Sequence, residues 1–244
     1  MADTAAEHIA QSLIRDIFSG RYHTGDALPS ERDLAKHFDA YRGSVREAMM
    51  MLKSTGLVEV NPKGKIRIRP FWKEGGLEVL TLIFNPEIFR LLPMDFFVDV
   101  LRFRRIIWAL AAESAANVCT KDDLDNLKKQ SDTLVPDTTK SEEYLNNDLA
   151  FFDFLSEKAS SPVVTWAHNS LKRVYESLMP LLPKFIDLAS FADFHRKLVH
   201  LLEMKDSSGA RDLVLKTLEV ADRGMEEIVR RQKLSPEVNQ SDSE

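Results

Sequence analysis

The sequence predicts a mainly α protein: an N-terminal winged helix-turn-helix followed by an all-α helical-bundle domain. Three observations carry this prediction. Between Leu28 and Arg69, two helix signals flank a brief break and lead into an alternating hairpin tipped by Gly and Lys. Pro70-Phe71-Trp72 and Gly75-Gly76 then punctuate the chain. Beyond that punctuation, every long segment carries helical periodicity and none reads as a strand.

Residues 3–19 read as an amphipathic helix, because Ile9, Leu13, Ile14, Ile17 and Phe18 recur at three- and four-residue steps. Gly20 closes it, and RYHTGDALP forms an extended, turn-rich connection. Ser30 is a good N-cap for a helix reaching Phe38, with Asp33 supporting its first turn. A second helix runs from Tyr41 to Thr55 and ends at Gly56. LVEVN and IRIRP alternate apolar with polar residues around the turn PKGK, which predicts a two-stranded wing. Further helices are expected over 76–84, 93–118, 121–134, 140–158, 162–179, 184–205 and 207–232, with a break at Pro180 and Pro183. The organisation that follows is a head over 1–70, a linker and first linking helix over 71–85, and a helical effector and dimerisation domain over 86–232. The tail over 233–244 is polar and expected to be disordered.

The bulk charge of −5 argues weakly against nucleic acid. Its distribution answers that objection. Arg32, Lys36, Arg42, Arg46, Lys53, Lys63, Lys65, Arg67 and Arg69 cluster in the head, and the acids concentrate after residue 110. A single cysteine, Cys119, in an alanine-rich helical context reads as small core filler and fits a reducing compartment. The N-terminus lacks a basic head and an apolar core, and no apolar run reaches membrane-spanning length. A cytoplasmic protein without a membrane partner is therefore expected. No nucleophile–base motif, P-loop or dinucleotide pattern appears, and only nine glycines are available for phosphate cradles. The expectation is a non-enzyme without cofactors, with an acyl-thioester-processing enzyme as the less favoured alternative.

A recognition helix needs small or polar residues where it enters the groove, and cations for phosphates and guanine edges. Arg42 and Arg46, four residues apart, share one helix face, while Val45, Met49 and Leu52 line another and pack inward. Tyr41 and Ser44 offer hydrogen bonds to phosphate, and Gly43 allows close backbone approach. Arg32 lies early in the preceding helix, placed for the DNA backbone. Lys63, Gly64 and Lys65 at the wing tip suit a minor groove. Any one arginine reads equally well as solvated surface. The joint pattern of helix, turn, helix and basic wing favours double-stranded operator DNA. Half-sites one turn apart require two recognition helices, hence a twofold homodimer.

Leu28-Pro29-Ser30-Glu31-Arg32-Asp33-Leu34-Ala35 and Arg42-Gly43-Ser44-Val45-Arg46-Glu47-Ala48, followed by Leu52, Gly56 and Leu57, resemble the DNA-binding domain of GntR-type regulators over residues 8–69. The resemblance implies that Arg32, Arg42, Arg46 and the wing contact DNA. Tyr41 replaces the usual small residue, and Pro62 sits in the wing, so a different operator is expected. The rear domain is similar to the FadR subfamily through Phe71-Trp72-Lys73-Glu74-Gly75-Gly76-Leu77, Asp148-Leu149-Ala150-Phe151-Phe152 and Ala159-Ser160-Ser161-Pro162. Many members hold a metal there with one Asp and three His. Here Asp148 and His195 match two positions, whereas Phe152 and Thr217 stand where histidines are expected, so no metal site is expected. Fatty-acid-responsive members share that loss and take a long-chain acyl-CoA. The resemblance thus implies an acyl-CoA, or another organic acid with an apolar portion, as effector, with Arg104, Asp148, Phe152 and His195 as its candidate binding residues. An ordinary surface or interhelical salt bridge reads equally well for Arg104, and a structural role equally well for His195 and His200. Trp108, Trp166, Tyr175 and Phe185 are expected in the core. The implied function is a repressor released by its ligand. A metal-dependent regulator sensing small carboxylates is the alternative within the family.

Overall fold

A computed structural model of the chain describes residues 4–61, 65–82, 88, 91–133, 141–178 and 193–234. Two compact units divide it, Met1–Leu92 and Pro93–Glu244. In the first unit, α1 (Ala5–Phe18) starts with a capping box in which Thr4 accepts from the Glu7 amide and the Glu7 carboxylate accepts from the Thr4 amide. Its stripe of Ile9, Leu13, Ile14 and Ile17 is buried as the periodicity requires. α2 (Glu31–His37) and α3 (Arg42–Ser54) form the helix-turn-helix, with α3 packed on both α1 and α2.

Both helices of that motif end on left-handed residues. Asp39 (φ 46°) and Gly56 (φ 72°) each follow a helix, and the amides beyond reach back to its last carbonyls. Ala40 donates to Ala35 O at 2.9 Å, and Leu57 donates to Leu52 O at 3.2 Å. These are Schellman closures, one on glycine and one on a residue that carries a Cβ. The wing pairs β1 (Val58–Val60) antiparallel with β2 (Ile66–Ile68). The connection before α2 does more than the sequence suggests. Gly25 and Leu28 donate to Ile68 O and Ile66 O, so residues 25–28 flank β2 on its other side. After the wing, α4 (Phe71–Glu74) is a single turn, and the helix expected over 76–84 is a 3-10 turn at Leu77–Leu82.

The second unit is helical throughout its described residues. Its elements are α5 (Met94–Val118), α6 (Lys121–Thr133), α7 (Ser141–Lys158), α8 (Pro162–Leu178), α9 (Phe194–Glu203) and α10 (Ser207–Leu234). α5 is the axis, touching α7, α8, α9 and most extensively α10. Ala109, Ala111, Ala112, Ala115 and Ala116 of α5 are almost fully buried, and their small side chains let neighbouring backbones approach closely. Of the helix expected over 184–205, residues 184–192 lie outside the described residues, and α9 runs from Phe194 to Glu203. Pro180, Pro183, Phe185 and the tail beyond Leu234 lie outside the described residues.

Two expectations of burial need correction. Trp166 is 66% exposed on α8, because the inward face of that helix is taken by Val164, Ala167, His168 and Leu171. Cys119 is half-buried at the end of α5, where helix geometry stops, and is not enclosed filler. Burial still pushes its thiol up to about 11, so the reactive thiolate is disfavoured.

Candidate nucleic-acid interface and effector cluster

The head exposes one face of α3. Val45, Ala48, Met49 and Leu52 are buried, which turns Arg42, Gly43 and Arg46 to solvent. Tyr41, the N-cap residue, makes no side-chain cap bond and is 89% exposed. Its phenol is therefore available at the point where the helix would enter a groove. Ser44 is half-buried, less open than its neighbours. A Cβ at Gly43 would meet nothing within 4 Å, so that position is open to an approaching duplex. Met50 continues the stripe of Arg42 and Arg46 and is 59% exposed. The run Met49-Met50-Met51 hid it, since a methionine reads as core until its neighbours' burial is known.

The cations of this face are weakly held. Arg46 Nε lies 3.8 Å from Glu31 Oε1, and Arg32 Nε lies 3.8 Å from Asp33 Oδ1. Asp33 itself caps α2 with Ser30, whose hydroxyl donates to it at 2.6 Å and holds its carboxyl below the usual range. Exposed pairs of this length hold their partners loosely, so both arginines are free to turn to phosphate. Lys65 is exposed at the wing, its amide bonded to Asn61 Oδ1 at 3.0 Å. Lys63 and Gly64 lie outside the described residues.

The second unit brings Arg104, Asp148, Phe152 and His195 into one buried cluster, drawn from α5, α7 and α9. The Arg104 guanidinium lies 5.1 Å from the Trp108 ring centroid and 5.3 Å from that of Tyr175. Trp108 stacks on Phe152 at 3.8 Å between centroids. Tyr175 donates its hydroxyl to Asp148 Oδ2 at 3.4 Å, and Asp148 Oδ1 meets His195 Nε2 at 2.7 Å. The His195 ring packs edge-on between Phe151 and Phe194. A continuous line of polar groups thus runs through an aromatic core from guanidinium to imidazole. Burial, reinforced by the Asp148 charge, pushes the Tyr144 and Tyr175 phenols well above their ordinary range, so both stay neutral.

Arg104 makes an interhelical salt bridge: its Nη2 is 2.5 Å from Asp222 Oδ1, so the chain itself already engages this guanidinium. Asp222 lies 118 residues away on α10, and nothing local signals the pair. A second network also escaped the sequence. Trp108 Nε1 donates to His168 Nδ1 at 3.0 Å, His168 Nε2 meets Asp153 Oδ1 at 2.6 Å, and Lys172 holds Asp153 Oδ2 at 2.5 Å. Because Nδ1 accepts from the indole, the proton of His168 sits on Nε2 and points at Asp153. That chain orients the Trp108 indole against Phe152.

The donor set does not fit the metal that the subfamily implies. Asp148 and His195 spend their facing atoms on each other, and Phe152 presents a ring stacked on tryptophan where a ligand is needed. Among the described residues, no group of three or more His, Cys, Asp or Glu side chains is placed to hold an ion.

Residues 5–68 match the family of bacterial regulatory proteins described as gntR, and residues 99–220, half of the chain, match the FCD domain. The chain is 28% identical over 229 residues to the HTH-type transcriptional regulator Mce2R of Mycobacterium tuberculosis, covering 90% of each. It is 28% identical over 174 residues to the fatty acid metabolism regulator protein of Pasteurella multocida, covering 71% of this chain and 70% of that one. Among solved structures, Lar, which controls the expression of the Listeria monocytogenes agr system, superposes with a TM-score of 0.53 at 17% identity, covering 95% and 99% of the two chains. That likeness concerns the fold alone.

Proposed function

The chain belongs to the GntR family of bacterial regulatory proteins, with an FCD domain behind its DNA-binding head, and from that premise we propose how this transcriptional regulator works. It binds operator DNA as a cytoplasmic homodimer, represses, and is released by a small organic anion carrying an apolar portion, a fatty acyl-CoA first among candidates. Contacts to DNA come from Arg32, Tyr41, Arg42, Gly43, Ser44, Arg46 and the wing residues Lys63, Gly64 and Lys65.

Arg104 carries the effector half of the reading. A buried guanidinium layered against Trp108 and Tyr175 offers an oxyanion a fixed cation, and the surrounding rings offer an acyl portion apolar walls. Asp148, Phe152 and His195 form the far wall of the same cluster. The fatty acid metabolism regulator among the relatives is what puts acyl-CoA first. Ligand binding shifts the operator equilibrium only through a difference in affinity between the two arrangements of the dimer.

The test is fluorescence anisotropy of a labelled operator duplex, titrated with oleoyl-CoA, oleate and short carboxylates. Release by an acyl ligand, lost in Arg104→Ala, supports the reading. Release by a short carboxylate only when zinc is present would favour the metal-dependent alternative, as would stoichiometric zinc in the purified protein. Robust hydrolysis of oleoyl-CoA would favour an enzyme instead.

A further inference from the structure

The bond between Arg104 and Asp222 is incomplete in a specific way. Asp222 engages Nη2 alone, while Arg104 Nε and Asp222 Oδ2 are both buried without a hydrogen-bond partner among the described residues. A guanidinium binds an oxyanion best through two parallel N–H bonds, and here one half of that fork is unmet. A second cation stands beside the pair: Arg105 Nη1 is 3.6 Å from Asp222 Oδ2.

Asp222 bonds Arg104 and also reaches the surface. It lines a groove of about 170 Å³ between α5 and α10, together with Val98, Leu101, Arg102, Arg105 and Arg223. The acids of that groove other than Asp222 are engaged, Glu219 by Arg223 at 2.7 Å and Glu226 by Arg230 at 2.9 Å. Two apolar side chains and exposed arginines at the mouth suit an organic oxyanion with an apolar portion.

We propose that Asp222 is an internal surrogate for the effector's oxyanion and that this groove is the ligand's way to Arg104. The arriving carboxylate or phosphate takes the Nε–Nη2 edge as a bidentate pair, and the Asp222 carboxylate swings onto Arg105. Because Arg105 is also on α5, α10 stays tied to it, but the buried bond to Arg104 gives way to the outer contact with Arg105, so the clasp loosens at its centre while the Arg211–Glu113 pair at 3.6 Å near the start of α10 is untouched. The idea rests on the effector reading of Arg104 given above. It adds the displaced group, the route and the helix that responds.

The test uses full-length protein with oleate and oleoyl-CoA as probes, measured by titration calorimetry. Binding of oleate would assign the oxyanion to a carboxylate, binding of oleoyl-CoA alone to a phosphate. Removing the internal competitor in Asp222→Asn should tighten binding at least fivefold. Arg105→Gln leaves the Arg104–Asp222 bond in place but removes the cation that would hold the displaced carboxylate, and should weaken binding at least fivefold. Amide exchange over residues 215–230 should quicken in wild type on saturation, and should already be fast in Asp222→Asn without ligand. Unchanged or weaker binding by folded Asp222→Asn overturns the proposal. Should that variant fail to fold, unchanged binding in Arg105→Gln overturns it. Loss of binding in Arg104→Ala with no effect of either other variant leaves the effector reading standing and removes the displacement alone. If neither probe binds wild type or Asp222→Asn, both fall.

Discussion

Replacing Arg46 with alanine separates what this side chain does for the fold from what it does for DNA. In the free protein its side chain is 72% exposed, and its ion pair with Glu31 spans 3.8 Å. Exposed pairs contribute about 0–1 kcal/mol, and alanine is the better helix former, so the melting temperature should barely move. The buried face of α3, with Val45 and Leu52 at 0% exposure, is untouched. On DNA the balance is different. A bidentate contact to guanine contributes roughly 1–3 kcal/mol, which is about five- to 150-fold in affinity per half-site. A phosphate contact instead weakens all sequences alike and lowers the salt slope by about 0.9 per protomer. Anisotropy measured on an operator recovered by in vitro selection, and on a scrambled duplex, across a salt series distinguishes the two. Specific and non-specific affinity both unchanged within twofold, in a protein that melts normally, would show that α3 does not present this face to DNA.

Other outcomes follow from single geometries. Phe152→Ala removes a fully buried ring from the Trp108 stack and should destabilise the second unit by about 3–5 kcal/mol in urea unfolding; a loss below about 1 kcal/mol would mean the cluster refills with ease. Asp39→Gly should raise stability by about 1 kcal/mol, because φ is 46° there and a Cβ is strained in that region. A fall in melting temperature would show that the Asp39 side chain matters more than its backbone. Asp123 accepts from Lys158 at 2.7 Å and from the Thr120 amide at 2.9 Å, which together lower its pKa from 3.8 to about 2. Since the folded value lies below the unfolded one, its stabilisation is complete above about pH 4 and is lost as pH falls towards 2. Asp123→Asn should therefore flatten stability against pH in that window, and an unaltered acid limb would contradict the assignment.

The elements that chain-local physics governs were legible. The ends of α2 and α3 follow from Ser30 and Gly56, and the buried stripes of α1 and α3 follow from the helical repeat, because cap and periodicity act within a few residues. The same locality places Arg42 and Arg46 on one face. What a side chain meets across the bundle is not local. Arg104 finds Asp222 across 118 residues, and Trp108 finds His168 across 60. Both partners are set by which helices the packing brings together. Trp166 makes the same point in reverse: a large apolar side chain reads as core from sequence, yet the face that α8 buries leaves it in solvent. Hydrophobicity determines how much surface each helix must hide, and only the tertiary arrangement decides which neighbours hide it and which charges are sealed in with it.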